Sequence, residues 1–496
     1  MRIIVLIALL SAFPNAFAIG PPAKPADAGG WSALTVADVE AIHALLRDNT
    51  PIPFDTENPA YSRWLEAGRD EAKLRAAEVT SEAGYVYTLT AYALGFRDPH
   101  INVKVHQPRI AGWPGFVGVA RGDEVIVAQR DTSDPDAPAL GARIESCDGQ
   151  NPAALVQSRM SPFSGTAGVP ERWSVPDLFL DFQNPFVPLP ESCLVRMGGE
   201  VLDINLRWRK VSGVSPTFGA DLSAAVFGAT ANFGITQPSP GVFWIGIPTF
   251  QHAERDQLRK LIKAVKARQK EMRNARAIVI DTRGNFGGTT IWANQLAEAI
   301  FTPKVLKAAQ RNRDQQIAAE LRASPENITY LREFVAGLQG SDVKQDRRSF
   351  NSTLKSIERA AQHAQPLARI GSSKTSHAGG ITAQRPQDAE SPFPASVYFL
   401  SNGTCSSTCL IFADKVLMVP GVRLVGSATS GDTPYGEVRS EKLPSGLTEL
   451  VLPQSVMRGR GRGALEAYQP DVAYEGSWDD TSVRAWVLSL TASTYR

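Results

Sequence analysis

The chain is short of metal-binding and redox side chains. It has only four cysteines and six histidines in 496 residues. Cys405 and Cys409 lie close together, but no histidine or further cysteine is near them in sequence. That argues against a tetrahedral zinc site. An excess of charge of one sign is also lacking. Lys+Arg number 52 against 50 Asp+Glu, a formal net charge of +2, whereas a general nucleic-acid binder carries a strong basic excess. The one basic run, Arg458-Gly-Arg-Gly-Arg462, reads as an exposed flexible loop and not as a binding patch. Long hydrophobic runs are missing too. No segment approaches the roughly 18 uninterrupted apolar residues of a membrane span, so stable membrane insertion is not expected.

The 43% hydrophobic and 21% charged residues suit a soluble globular protein with a sizeable core. The length suggests roughly two to four domains. The start is specialised: Met1-Arg2, an apolar run from Ile3 to Leu10, then Ala16-Phe17-Ala18 as a small-x-small cleavage site. That is the layout of a secretory signal peptide over 1–18. The mature protein is then exported, to a periplasm or out of the cell. No cysteine follows the cut, so a lipid anchor is not expected. In an oxidising compartment Cys147 and Cys193 are the first-choice disulfide. Cys405 and Cys409 would lie about 6 Å apart on a helix, near the upper limit of disulfide geometry, which leaves their pairing open.

Residues 19–104 open with a Pro-, Ala- and Gly-rich linker and continue as a helical region, with Val39, Ile42, Leu45 and Leu46 at helical spacing. Residues 105–212 read as short strands separated by turn signals, with a hairpin around Gly198-Gly199 and a long Pro-rich loop from Ser161 to Glu191. An α/β pattern occupies 235–302 and returns at 392–496. Its strands are Val242 to Pro248, Ala277 to Asp281, Ser396 to Leu400 and Val422 to Gly426. Residues 303–391 read as a helical insertion followed by a surface loop.

Four segments carry candidate chemistry. Asn402-Gly-Thr-Cys-Ser-Ser-Thr-Cys409 is a turn between a strand and a helix. A serine at its tip points its hydroxyl out of the sheet edge, and the free N–H groups of the helix start can hold an oxyanion. Ser406 is placed for this, with the Ser407 amide beside it. Taken alone, such serines more commonly cap the helix. Asp281-Thr-Arg-Gly-Asn-Phe-Gly-Gly288 is a glycine-rich loop after a buried strand. It lacks the ending of a P-loop and the spacing of a dinucleotide site. Asp98-Pro-His100 and Glu466 complete the set; alone, each reads as structural or solvated.

Together these segments resemble one family. The loop Asp281 to Gly288 is similar to an Asp-x-Arg-x-Asn-x-Gly-Gly loop. Gly403-Thr-Cys-Ser-Ser407 is similar to a Thr-Ala-Ser-Ala nucleophile turn, and Val425 to Gly431 to the Val-Gly-x-x-Thr-x-Gly that follows it. Glu466 with Pro470-Asp471 loosely resembles a Glu-x-x-Gly-x-x-Pro-Asp ending. The family is that of the C-terminal processing (tail-specific) serine proteases. Many members use a Ser–Lys dyad, but Asp432 stands at the lysine position, and Lys415 is a poor substitute. The pattern instead resembles the branch of the tricorn core protease and the chlamydial protease-like factor, which uses Ser, His and Glu.

The resemblance implies an α/β multidomain fold: a ClpP/crotonase-like β-β-α catalytic core, a PDZ-like β module centred on Gly141 to Gly149, and the N-terminal helical region. It implies Ser406 as nucleophile, His100 as general base and Glu466 as orienting acid. The oxyanion would lie between the Ser407 N–H and that of Gly287 or Gly288. No metal or cofactor is required. Substrates would be proteins or peptides, captured in part by strand addition. A non-catalytic peptide- or ligand-binding protein on the same scaffold and a small-substrate esterase or amidase are the alternatives. Nothing in the sequence bears on the oligomeric state.

Overall fold

A computed structural model describes residues 24–104, 110–165, 168, 171–210, 218–309, 317–338, 344–371 and 394–493. The expected signal peptide, and the surface loop up to residue 390 beyond Gly371, lie outside the described residues.

Three helices come first: α1 (Ala28–Asn49), α2 (Pro59–Ala76) and α3 (Glu82–Leu94). Side chains cap the starts of α1 and α3. Asp27 accepts from Gly30 at 2.7 Å and Ser81 from Gly84 at 3.3 Å. Val39, Ile42 and Leu46 share one face of α1 and are fully buried.

A five-stranded antiparallel sheet follows. Its strands run in sequence order: β1 (Phe116–Arg121), β2 (Glu124–Arg130), β3 (Arg143–Cys147), β4 (Ser192–Met197) and β5 (Glu200–Asn205). Cys147 and Cys193 are partners in the register of β3 and β4 and form a disulfide. The Pro-rich loop between these strands is not all surface: Val175, Leu178 and Phe179 pack into the core of the module.

The core sheet has six strands: β6 (Gly234–Ser239), β7 (Val242–Gly246), β8 (Ala277–Asp281), β9 (Ser396–Ser401), β10 (Val422–Gly426) and β11 (Val472–Ala473). They lie in the spatial order β11-β10-β9-β8-β7-β6. All neighbours are parallel except β6 and β7. Alternation sends Phe243, Ile245, Ile278, Ile280, Val397 and Phe399 to one face. Helices α4 (Arg255–Ala267), α5 (Thr290–Ala309, broken at Thr302 before Pro303) and α6 (Thr408–Val416) cover that face. Trp244, Val279, Tyr398 and Leu400 point to the other face, which the helix Asp480–Ser493 closes with Val483 and Val487. Such two-sided burial is why these strands read as continuous apolar runs. Each large side chain so buried contributes about 1.5–3 kcal/mol. The carboxyl ends of β8, β9 and β10 open on one edge, where loops of parallel sheets carry function.

A second sheet is assembled from distant segments: Asn102–Lys104, Ala318–Arg322, Leu367–Gly371, Tyr435–Lys442 and Glu449–Arg458. Two of these strands come from 303–391, which was expected to be helical. That stretch also holds the helices Pro325–Gly337 and Lys344–Gln362. Ala318–Arg322 pairs with residues up to Arg458, far away in sequence, so no local turn announces it. Helices α1–α3 pack on this sheet, where Ile42, Leu46 and Tyr85 meet Leu450, Leu452 and Val456. The chain leaving α3 is thereby laid along the edge of this second sheet. Asn102 pairs with Val451 and Val103 with Leu450.

The basic run contradicts its expected exposure. Arg458 and Arg462 are buried. Arg458 bonds Asp55 and Glu320, Arg460 bonds Asp432, and Arg462 bonds Asp432 and Asp414. Burying this much charge is tolerable only because acids from distant segments match it.

Candidate active site

The loop after β8 is held by its own side chains. Asp281 is buried and binds Arg283 through both oxygens, at 2.9 and 2.7 Å. Arg283 also reaches Asp480 at 2.7 Å, and Trp244 donates to Asp281 at 3.0 Å. The arginine's Nε and Nη2 are therefore committed to carboxylates, and its side chain is buried. Asn285 pins the tip: its Nδ2 donates to the Ile247 carbonyl and its Oδ1 accepts the Gly287 N–H, both at 2.9 Å. Gly287 and Gly288 have φ of +101° and +138°. A Cβ on Gly287 would lie 2.9 Å from Ser406 O, Ser407 Cβ and Thr408 N, and one on Gly288 2.1 Å from Phe250 C. Only glycine permits this approach to the serine turn.

The serine turn joins β9 to α6. Its apex is Ser407, with φ +53° and ψ −122°. A non-glycine residue there costs about 1–3 kcal/mol, and such outliers gather at functional sites. Ser407 is the residue before α6 begins, yet its side chain makes no capping hydrogen bond. Its Oγ instead lies 3.4 Å from His100 Nε2. Cys405 and Cys409 flank the turn and are bonded to one another, which closes the question their spacing left open.

His100 comes from the segment after α3 and is buried, 7% exposed. Asp98 shapes that segment. Its Oδ1 accepts the His100 backbone N–H at 2.8 Å and its Oδ2 accepts from Thr433 Oγ1 at 2.6 Å. The same Oδ1 is 3.3 Å from His100 Nδ1, close enough for an ion pair but out of line for a hydrogen bond. Burial by itself pulls the imidazole pKa down. The direct contact with Asp98, its charge and then that of Asp432 outweigh burial, and the net value lies above the ordinary 6.5. Asp432 is itself held down to about 2, because Arg462 and Arg460 overcome its burial.

The structure brings some of the expected residues together and not others. His100 faces Ser407 and not Ser406. The Ser406 Oγ donates to the Phe286 carbonyl at 3.2 Å, which ties the serine turn to the glycine loop. The sharp turn thus carries its apex at 407, one position beyond the serine expected to be the nucleophile. Glu466 does not meet His100. Its carboxylate accepts the N–H of Gly463, at 2.5 Å, within its own loop. Asp98 stands at the imidazole instead. Of the oxyanion donors, the Gly287 N–H is taken by Asn285. The Gly288 N–H has no protein acceptor among the described residues. With the apex at 407, the donor following it is the N–H of Thr408 at the start of α6. The signal that could have found Ser407 was the helix start, since the last residue before a helix is where the elbow lies. Lys415 is bonded to Asn294, which holds its amine away from the serine turn.

Both serines open into a cleft of about 2020 Å³, lined near the turn by His100, Trp173, Phe227, Phe286 and Gly288. Phe286 is 48% exposed and lies edge-on to Phe227, which lies edge-on to Trp173. Such a cleft exceeds the roughly 300–1,000 Å³ of a small-molecule pocket.

Residues 242–472 match the model of peptidase family S41. The stretch runs from β7 to β11 and contains the glycine loop and the serine turn, but not His100. No curated protein matches the sequence. Among solved structures, mature CPAF is similar with a TM-score of 0.58 at 14% identity, covering 89% of this chain and 92% of that one. Mature CPAF complexed with lactacystin gives the same score and identity over 93% and 99%. This likeness is one of fold. The photosystem II D1 C-terminal processing protease matches over 89% of this chain and 93% of its own, at 12% identity and a TM-score of 0.32.

Proposed function

The chain belongs to peptidase family S41 and is a serine-type peptidase, and from that premise we propose that it is an exported endopeptidase acting through Ser407, His100 and Asp98. The observation that carries this reading is the 3.4 Å approach of His100 Nε2 to the hydroxyl of a serine held at φ +53°. Ser407 attacks the peptide carbonyl while His100 takes its proton. The tetrahedral oxyanion is received by the Thr408 and Gly288 N–H groups, aided by the positive end of α6. His100 then returns the proton to the leaving amine, and water repeats the cycle on the acyl-enzyme. Asp98 orients the ring and stabilises its charged form.

The size of the cleft favours a chain-like substrate over a small ester. The five-stranded module β1–β5 is read as PDZ-like, serving peptide capture, and the core as ClpP-like. Export rests on the signal-peptide pattern at 1–18.

A fluorophosphonate probe tests the reading directly. Tandem mass spectrometry of labelled protein is expected to place the adduct on Ser407. Ser407→Ala is expected to abolish both labelling and cleavage of a casein substrate. Ser406→Ala is expected to retain labelling within about tenfold, since it removes only the link to Phe286 and leaves the attacking group in place. Labelling on Ser406 with Ser407→Ala still active would overturn the assignment.

A further inference from the structure

We propose that the Cys405–Cys409 disulfide is a positioning device for the Ser407 hydroxyl and not primarily a staple for the fold. The reading rests on Ser407 as the nucleophile. The bridge closes a small ring that encloses Ser406, Ser407 and Thr408. The ring therefore contains the backbone that bears the attacking hydroxyl and the N–H proposed to receive the oxyanion.

Chain statistics argue against a mainly global role. The two bridges have sequence separations of 4 and 46. Closing the shorter loop constrains the unfolded chain about half as much as closing the longer one. What the short ring constrains strongly is the turn itself.

The turn lacks the fastener that helix starts ordinarily use. A serine preceding a helix accepts an N–H from the first turn. Ser407 makes no such bond, because its hydroxyl faces His100. The Ser406 hydroxyl points away to Phe286. Neither serine side chain, then, pins the apex to α6, although the apex holds a positive φ that a serine adopts only under constraint. The ring replaces the missing cap without spending a hydroxyl. Its two ends are well seated: the Cys405 carbonyl accepts the Ser430 N–H at 3.1 Å, and the Cys409 N–H donates to the Ser406 carbonyl at 3.0 Å. Both cysteines are fully buried in the main core. Burial denies access to an attacking thiolate, so the bridge is a permanent part of the site and not a redox switch.

The test compares two bridge deletions, Cys405→Ala/Cys409→Ala and Cys147→Ala/Cys193→Ala, in the full mature chain. The expected pattern is crossed. The first pair loses about tenfold to a hundredfold in kcat on a fluorogenic peptide, and as much in fluorophosphonate labelling rate, with KM little changed. The second pair keeps kcat within about twofold but suffers the larger fall in Tm. A bridge that only stabilised the fold would move Tm and leave kcat, well below Tm, where it was. Unchanged kcat and labelling in the first pair would overturn the proposal, as would a larger fall in Tm there than in the second pair. Should the first pair not fold, reduction of the wild-type chain in sub-denaturing urea supplies the comparison. Alkylation then reports which bridge has opened, and labelling must slow when Cys405–Cys409 opens and not when Cys147–Cys193 does. Absence of any Ser407 label in the untreated wild type would instead strike at the assignment of the nucleophile.

Discussion

His100 is buried between two carboxylates that do different work. Asp98 touches its ring and its backbone N–H. Asp432 acts at longer range, its own charge held by Arg460 and Arg462. Burial favours the neutral ring, and the two acids favour the charged one more strongly. A base must be neutral to accept a proton, so raising its pKa moves activity towards alkaline pH. The expected profile of kcat/KM rises with pH through a midpoint above 6.5. In Asp98→Asn the amide oxygen can still accept the backbone N–H, but the charge is gone. The midpoint is then expected to fall, and kcat at the plateau to drop by about 10²–10⁴-fold through loss of ring orientation. A pH–rate series on a fluorogenic peptide checks both. An unshifted midpoint would show that Asp98 does not face the ring in solution.

At the scale of elements, the site is two loops pressed together at the carboxyl ends of β8 and β9. Gly287 is the contact point. Its φ of +101° and the 2.9 Å approach to three atoms of the serine turn leave no room for a methyl group. Gly287→Ala is expected to keep the fold, since the loop is exposed at neighbouring Phe286, yet to push the apex away from His100. A loss of about a hundredfold in kcat follows for a displacement near 1 Å. Circular dichroism and peptide hydrolysis measured together check this, and full activity would count against the packing described. These loops were legible in the sequence, because glycines after a buried apolar strand carry a local meaning. The strands of the core sheet were legible for the same reason. The apex was legible only to within one residue: Ser406 and Ser407 are chemically identical, and only the backbone conformation distinguishes them. The carboxylate beside the imidazole was not legible. Asp98 lies two residues from His100, but an Asp before a His is ordinarily a turn former, and it is one here as well. Ala318–Arg322 was missed because neither of its partner strands, Leu367–Gly371 and Glu449–Arg458, is joined to it by a local turn.

For the whole molecule, the question is how His100 and Ser407, 307 residues apart, are held in one place. Helices α1–α3 and the second sheet carry His100, while the core sheet carries Ser407. The joint between them is charged. Asp432 follows the strand of the core sheet, the arginines follow the last strand of the second sheet, and Asp414 projects from α6. Arg462 bonds Asp432 at 2.6 Å and Asp414 at 3.2 Å, and Arg460 bonds Asp432 at 2.6 Å. Asp432 and Arg462 are buried and their partners Arg460 and Asp414 half-buried, so the attraction at the centre of the joint is little screened, and removing Asp432 leaves Arg462 stranded. Asp432→Asn is expected to destabilise the protein by about 3–5 kcal/mol, measured by urea unfolding at neutral pH. The pH dependence has a definite sign. A carboxyl whose folded pKa is depressed contributes stability that is fully present above its unfolded value and is lost as pH falls through its folded value. For Asp432 those values are 3.8 and about 2. The wild type is expected to lose this contribution across that window, while Asp432→Asn, already without it, shows a correspondingly shallower acid slope. Equal slopes for the two proteins between pH 4 and 2 would mean that Asp432 does not carry the charge of the joint.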